Sequence, residues 1–402
     1  MVQPNRKGDG MKILFVTVPI MTPVATQYPM LGVAYISSYL KKYSNHKTAL
    51  CDAALGESPL AKIKTEHPDV VGLTYNTMGA TRAQKIAEKI KQTHPNLPVI
   101  CGGVHASYMP LPKAFDAKVT GEGEQATLNL LNDLEANGKL THQNYTAASI
   151  TPLDNIPPPD RELYNMRYYM QPIPHFPGHI GLGANMLTSR GCCFRCVFCP
   201  SSHFWGKPRF HSAQYVVDEI KGLIDKYHVH YINFWDDLFH LDLKRLHQLA
   251  RLFREEKLDV ECGCQCHAGL FTDEVAGLLK QMNFVYCGFG MESASPRVLK
   301  YLKCGVTTIE DNQHAVDTCR KHGLKVGSGF ITGVPHETQE EFKANLTFIQ
   351  KNKLDAFNIY VLTPYPGTPL WIEALERGVV SESMDFGGLY HVFDGQKVFM
   401  NA

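Results

Sequence analysis

Four of the chain's twelve cysteines fall within eight residues, in the stretch TSRGCCFRCVFCPSSHFWGK at positions 188–207. Cys192, Cys196 and Cys199 carry the spacing C-x3-C-x2-C. Three thiolates on one tight loop can grip three corners of an iron-sulfur cube and leave the fourth iron without a protein ligand. An open corner is where a substrate or cofactor can bind metal directly. Structural zinc asks instead for four closed ligands, usually two C-x2-C knuckles a dozen or more residues apart. His203 could complete a Cys3His zinc site, so that alternative stays open on spacing alone. Cys193 is out of register and reads as packing. A second group, Cys262, Cys264 and Cys266 in CGCQC, alternates with the period of a strand and so shares one face. Those thiols could line a barrel and hold a second metal. Packing is the preferred reading, because cysteine is a small hydrophobe that is common in cores.

The bulk of the chain narrows what such a centre can serve. With 402 residues, two domains are the prior. Lys and Arg number 40 against 39 Asp and Glu, without long blocks of one sign, so no footprint for nucleic acid or an anionic membrane appears. The first ten residues are polar, and no run of eighteen apolar residues occurs. The expectation is a soluble, cytoplasmic chain among reduced thiols, where clustered cysteines point to metal or catalysis rather than disulfides.

The elements that must position the thiols follow from hydrophobic periodicity. MKILFVTVP, KTALCDA, DVVGLTY and LPVICGG are short β-branched runs separated by helical patterns such as TRAQKIAEKIKQTH. This alternation predicts an amino-terminal doubly wound parallel sheet over residues 11–136, whose ligand site lies beyond the carboxyl ends of its strands. The loops to watch are 19–27, 52–57, 75–81, 102–107 and 121–124. Residues 137–183, rich in proline and tyrosine, read as a linker. Strand and helix alternation resumes over 184–370, with strands near 184–189, 231–235, 259–266, 285–292, 325–332 and 356–362. Six βα units predict a partial (β/α)6 parallel barrel with its chemistry at the strands' carboxyl ends. A short tail, 371–402, could cap the barrel, with Tyr390 or His391 near substrate.

On these motifs the chain resembles the radical S-adenosylmethionine (SAM) superfamily, in which C-x3-C-x2-C with an aromatic residue before the last cysteine, Phe198 here, binds a [4Fe-4S] cluster that chelates SAM. The resemblance implies further SAM contacts. FWDDLF, with Asp236 and Asp237, matches the strand end that meets the methionine amino group. GFGMESAS matches the segment whose glutamate, Glu292, bonds the ribose, and GFITGVPHET, with Gly329, Gly333 and Pro335, matches the adenine segment. TPYPGTPL matches the segment after the sixth strand. Cys266 and His267 occupy a strand end where the family places a polar SAM contact.

The order of sheet, GGVHAS, TGEGEQAT, proline linker and cysteine motif resembles the cobalamin (B12)-binding branch over nearly the whole chain. It implies cobalamin at the carboxyl edge of the amino-terminal sheet, with Gly102 and Gly103 allowing close approach and Thr74, Asn76, Thr77 and His105 nearby. One departure matters: where many such domains carry D-x-H-x-x-G, this chain reads Asp52-Ala53-Ala54-Leu55-Gly56, so no imidazole is available there for cobalt. Either another group serves the lower face or the cofactor has been lost.

The activity the resemblance implies is reductive cleavage of SAM with cobalamin-dependent methylation of an unactivated carbon, or phosphorus, of a small-molecule substrate. The reducing partner would be a donor such as flavodoxin or ferredoxin. Radical cyclisation, rearrangement or oxidation is the alternative within the class, and a non-catalytic metal-bearing binding protein the alternative outside it. Methylthiotransferases, which carry three more cluster cysteines in the amino-terminal domain, are excluded because only Cys51 and Cys101 occur there.

Overall fold

The computed structural model describes residues 10–18, 28–170, 173–176, 179–389 and 399–400. The expected loop 19–27, Tyr390 and His391 lie outside them. The chain divides into two compact units. The first runs to Thr151 and adds Asn155–Tyr169 and Glu382–Leu389; the second holds Pro152–Asp154, Met170–Ser381 and the chain end.

In the first unit, strands β1 (Lys12–Thr17), β2 (Lys47–Asp52), β3 (Val70–Thr74), β4 (Val99–Gly102), β5 (Ala117–Val119) and β6 (Asn144–Tyr145) form one parallel sheet in the order β2-β1-β3-β4-β5-β6. Ile13, Leu14, Phe15 and Val16 are all buried, which is why β1 reads as a continuous apolar run: helices cover both faces. The strand order reverses between β1 and β3, so the crevice beyond their carboxyl ends is the natural ligand position. Part of the expected linker is not free chain. Asp160 donates its N–H to the Ala34 carbonyl, and its carboxylate accepts from Ser37 and Lys41 at 2.6 Å each. The tyrosine at 164 donates to the Met30 carbonyl. Glu382–Leu389, expected to belong to a tail capping the barrel, instead packs in this unit: Asp385 accepts from Thr81 at 2.6 Å, and Phe386, 4% exposed, meets His105 edge-on.

In the second unit, β7 (Gly183–Met186), β8 (Tyr231–Phe234), β9 (Glu261–Cys266), β10 (Phe284–Glu292), β11 (Lys325–Thr332) and β12 (Ala356–Val361) pair in chain order, all parallel. Each neighbour pair is bridged by helical chain, as a partial (β/α)6 barrel requires. Local sequence starts these helices: Thr308 with Asp311, and Thr338 with Glu341, form reciprocal capping boxes. Strand β7 is shorter than expected. Ser189–Arg190 pairs instead with Arg209–Phe210, because the Thr188 N–H and hydroxyl are drawn to the buried Asp236 carboxylate at 2.9–3.2 Å.

The inner face of this sheet is hollow by composition. Gly263, Gly288, Gly290, Gly327 and Gly329 share the strand parity of Gln265 and Tyr286. A Cβ at Gly327 would overlap the Tyr286 hydroxyl, and one at Gly288 would overlap the Gln265 amide. Side chains from one strand therefore lie across glycines of the next, and a cavity of about 460 Å³ remains beside them. Its wall includes Gln265, Tyr286, Gly288, Glu292, Gly329, Asn358 and Tyr360.

Candidate active site

The cysteine loop begins at Gly191, whose φ of +100° and close approach to the Gly206 and Lys207 carbonyls (3.0 Å from a would-be Cβ) suit only glycine. From there the loop is tied down from several sides. Val197 donates its N–H to the Leu302 carbonyl and accepts from the Leu370 N–H, both at 3.0 Å. The Cys304 thiol donates to the Arg195 carbonyl at 3.2 Å. Phe194 stacks on His267 at 3.9 Å between centroids, 15° from parallel, and His267 is itself bonded to the Thr307 hydroxyl at 3.0 Å. The TPYPGTPL segment thus supports the loop through Leu370, and His267 supports it through Phe194.

Cys192, Cys196 and Cys199 are half-buried, whereas Cys193 is exposed. Burial pushes the Cys192 thiol up to about 11 and Cys196 up to about 12, against the pull of the Lys303 ammonium on the latter, and it raises Cys199 as well. Each thiol also feels its neighbours' charge, so a cation is needed before all three can ionise. Around one zinc, sulfurs lie about 3.8 Å apart, the edge of a tetrahedron with 2.3 Å bonds. Among the described residues, the one set of three metal-binding side chains within 4.8 Å lies elsewhere, so these thiols do not converge to single-ion spacing. His203 is exposed and, among the described residues, joins no such group.

Phe198, Cys199 and Pro200 border the same cavity as Glu292. Glu292 stands at a bulge between β10 and β11 with φ of +62°, a conformation a non-glycine residue keeps only when its surroundings impose it. Two side chains impose it: Lys303 donates to the Gly290 carbonyl at 2.7 Å and Asn312 to the Met291 carbonyl at 3.2 Å. The Glu292 carboxylate finds no hydrogen-bond partner among the described residues, and burial pushes its pKa up to about 7 against the opposing Lys303 charge. A buried acceptor without a donor, beside glycine-lined space and an electron-rich loop, matches a ligand that brings hydroxyl groups.

Other expected SAM contacts are placed differently. Asp236 is buried and accepts from Thr188 and Ser189, with Arg245 charge nearby, so it ties β7 to β8 rather than presenting a free carboxylate. Asp237 reaches solvent and accepts from Ser201 at 2.9 Å at the end of the cysteine loop. Cys266 does not border the cavity: the inner parity of β9 belongs to Gly263 and Gln265, which turns Cys262, Cys264 and Cys266 toward the helical layer. His267, also off the cavity, is held by burial well below its usual pKa, at about 3, and serves the loop. Gly329 borders the cavity. Gly333 and Pro335 shape the following turn, where the Gly333 N–H donates to Glu337 at 2.6 Å and the Pro335 carbonyl accepts from Arg297 at 3.3 Å.

At the carboxyl edge of the first sheet, Gly103 has φ of +107°, and a Cβ there would stand 2.6 Å from the Tyr75 carbonyl. Gly102 accepts from the Tyr75 N–H at 3.3 Å. Thr74 ends β3, half-buried. Asn76 caps the next turn by accepting from Gly79. Thr77 bonds His105 at 3.2 Å, and burial lowers His105 to about 4. Asp52 is engaged by the Thr17 and Tyr169 hydroxyls at 2.7 Å each. Cys51 and Cys101 are buried strand residues, with thiols pushed up to about 12 and about 11, and among the described residues neither joins a group of three metal-binding side chains. Asp52 apart, the edge therefore offers glycine-bared backbone and uncharged side chains, which fit a large ring system.

Comparison with known proteins decides the family. The radical SAM superfamily profile matches residues 186–349 and the B12 binding domain profile matches 17–131. An uncharacterised methyltransferase of Pyrococcus horikoshii is 34% identical over 92% of this chain and 84% of its own length. The chain belongs to the radical SAM superfamily. It is a radical SAM enzyme with an amino-terminal B12 binding domain, and its cofactors are the [4Fe-4S] cluster, SAM and cobalamin. The cytidylyl-2-hydroxyethylphosphonate methyltransferase of Streptomyces wedmorensis is 26% identical over 94% of this chain and 85% of that one. The fold of both units recurs in the radical SAM methyltransferase TsrM of Kitasatospora setae, solved with cobalamin and a [4Fe-4S] cluster bound, with a TM-score of 0.73, 20% identity, and coverage of 92% of this chain and 75% of that one.

Sequence reading missed the radical SAM enzyme's Gln265, Tyr286, Asn358 and Tyr360 as cavity residues, and Lys303 as the support of the Glu292 bulge. The signal for the first four was available in strand parity. Lys303 carried none, because a lysine at a helix end is ordinarily solvated.

Proposed function

We propose that this chain is a cobalamin-dependent radical SAM methyltransferase that modifies an unactivated carbon, or a phosphorus, of a small molecule. The observation that carries the reading is the shared cavity: the cysteine loop and the donor-seeking Glu292 open into one glycine-lined space. When bound, the reduced cluster supplies the electron that splits SAM, and cobalamin carries the methyl group. The chain's own residues do the rest. Cys192, Cys196 and Cys199 hold three irons; Glu292, held at its bulge by Lys303 and Asn312, receives the ribose hydroxyls; Gly290 and Gly329 leave room for the nucleoside. Gly102, Gly103 and Thr74 would offer the corrin an approach along the first sheet, where Ala54 stands in place of the histidine that many such domains carry. Methyl transfer is supported by the relatives of P. horikoshii and S. wedmorensis, whose names carry that activity.

We place the enzyme in the cytoplasm, reduced by flavodoxin or ferredoxin; no described helix is long and apolar enough to cross a membrane. Anaerobic reconstitution with iron, sulfide and hydroxocobalamin, followed by reduction with SAM, tests the reading. The expected products are 5′-deoxyadenosine and S-adenosylhomocysteine. Cleavage of SAM without any S-adenosylhomocysteine would favour a radical rearrangement or cyclisation. Absence of cleavage in iron-loaded, reduced protein would overturn the reading.

A further inference from the structure

The CGCQC thiols play no part in the cavity chemistry, yet the fold brings them company. Register pairs Cys264 of β9 with Cys287 of β10, so both thiols emerge side by side on the face of the sheet away from the cavity. Cys266, two residues along β9, shares that face, and its sulfur lies 3.5 Å from that of Cys264. The three sulfurs of Cys264, Cys266 and Cys287 all lie within 4.8 Å of one another and all three residues are buried. A fourth thiol, Cys319 of helix Ile309–Lys321, is also fully buried and lies near Cys266 and Cys287 in the helical layer, just outside that group of three. Three thiols from two strands therefore meet in one dry spot, with a fourth from the helix beside it. Cys262, on the same face of β9, stays apart and donates to the Val260 carbonyl.

A 3.5 Å separation is close to the ~3.8 Å edge of a tetrahedral zinc thiolate, and shorter than a cube of four irons could use. Thiolates are soft ligands that select Zn(II), Cu(I) and iron-sulfur centres, and a site without water or an open position is of the structural kind. We propose that Cys264, Cys266 and Cys287, with Cys319 as fourth ligand, form a closed structural zinc site, separate from the cluster, that clamps β9 and β10 to helix Ile309–Lys321. Each coordinating thiol releases its proton to solvent as its metal–sulfur bond forms, and no electron is transferred. The clamp backs the wall that carries Gln265, Gly288 and Glu292 on its other face.

The site is closed, so metal must enter before the core does. The full chain carrying C192A, C196A and C199A is therefore produced in zinc-depleted medium supplied with cobalt. The expected result is one cobalt per chain, with the visible absorption of tetrahedral cobalt and strong thiolate-to-cobalt charge transfer. Adding C262A leaves that spectrum unchanged, while C264A or C287A removes it. Melting temperature provides a readout independent of those variants: chain produced with zinc melts higher than chain produced without it, because the metal binds the folded state. In the wild-type chain purified without oxygen, metal analysis finds one zinc beside the cluster iron. Cobalt or zinc absent from the cluster-free chain, or bound equally by the C262A and C264A chains, would overturn the proposal. Cobalt bound without charge transfer would mean adventitious surface binding and would also overturn it.

Discussion

Replacing Glu292 with glutamine separates the cost of burying this carboxyl from its use. Burial, opposed by Lys303, moves the folded pKa from 4.5 to about 7. The folded chain then holds a proton that the unfolded chain releases, so stability falls as pH rises above about 4.5, and the loss is complete above about 7. At about 1.4 kcal/mol per pH unit, that interval amounts to about 3 kcal/mol. Glutamine has the same shape and no charge to bury. In the metal-free chain, Glu292→Gln should therefore melt close to wild type at pH 4.5, gain on it up to about pH 7 and level off above that, by about 6–12 °C in the second unit, at the ~2–4 °C per kcal/mol typical of such domains. Calorimetry across that pH range measures it. Parallel melting curves would refute the account, and so would a wild type that gains on the variant as pH rises, since that is the signature of a carboxylate paired and charged in the folded state. The same substitution should weaken SAM binding to the reconstituted enzyme by roughly 10- to 100-fold, because a charged acceptor worth ~1.5–3 kcal/mol becomes a neutral amide.

Cys196→Ala should reduce reconstituted iron from about four per chain and abolish 5′-deoxyadenosine formation without shifting the melt of the metal-free protein by more than a degree or two, as iron analysis and calorimetry would show. Gly327→Ala places a methyl group on the Tyr286 hydroxyl, and should cost ~1–3 kcal/mol in denaturant unfolding while raising the dissociation constant for SAM. Phe386→Ala removes a buried ring from against His105 and should release Glu382–Leu389, seen as faster amide exchange in helix Ala80–Thr93 and weaker cobalamin binding, with cluster iron content unchanged.

Much of this enzyme can be read along the chain because the relevant physics is local. The spacing of Cys192, Cys196 and Cys199 is a property of one loop, and a centre with several metal corners suits it better than a single ion. Alternating β-branched runs and helical periodicity specify two parallel α/β units, and Thr308-Asp311 and Thr338-Glu341 mark helix starts in four residues each. Glu292 was legible for a related reason: it sits in a contiguous strand-end motif.

Contacts made by residues far apart in the chain escape such reading. Asp236 looks like a free strand-end carboxylate until Thr188, Ser189 and Arg245 gather around it. A strand of period two shows that Cys262, Cys264 and Cys266 share a face, but not which one. That was decided by the curl of the sheet, which gives its inner side to Gly263, Gln265 and Tyr286. The meeting of Cys287 with the β9 thiols, the docking of Lys303 beneath Gly290, and the return of Phe386 to His105 rest on pairings across tens to hundreds of residues. Composition and spacing settle which chemistry the chain can perform, because metal ligation and helix or strand preference are short-range. Which side chains face the cavity, and which are consumed in holding it open, depends on packing, where burial and register outweigh local preference.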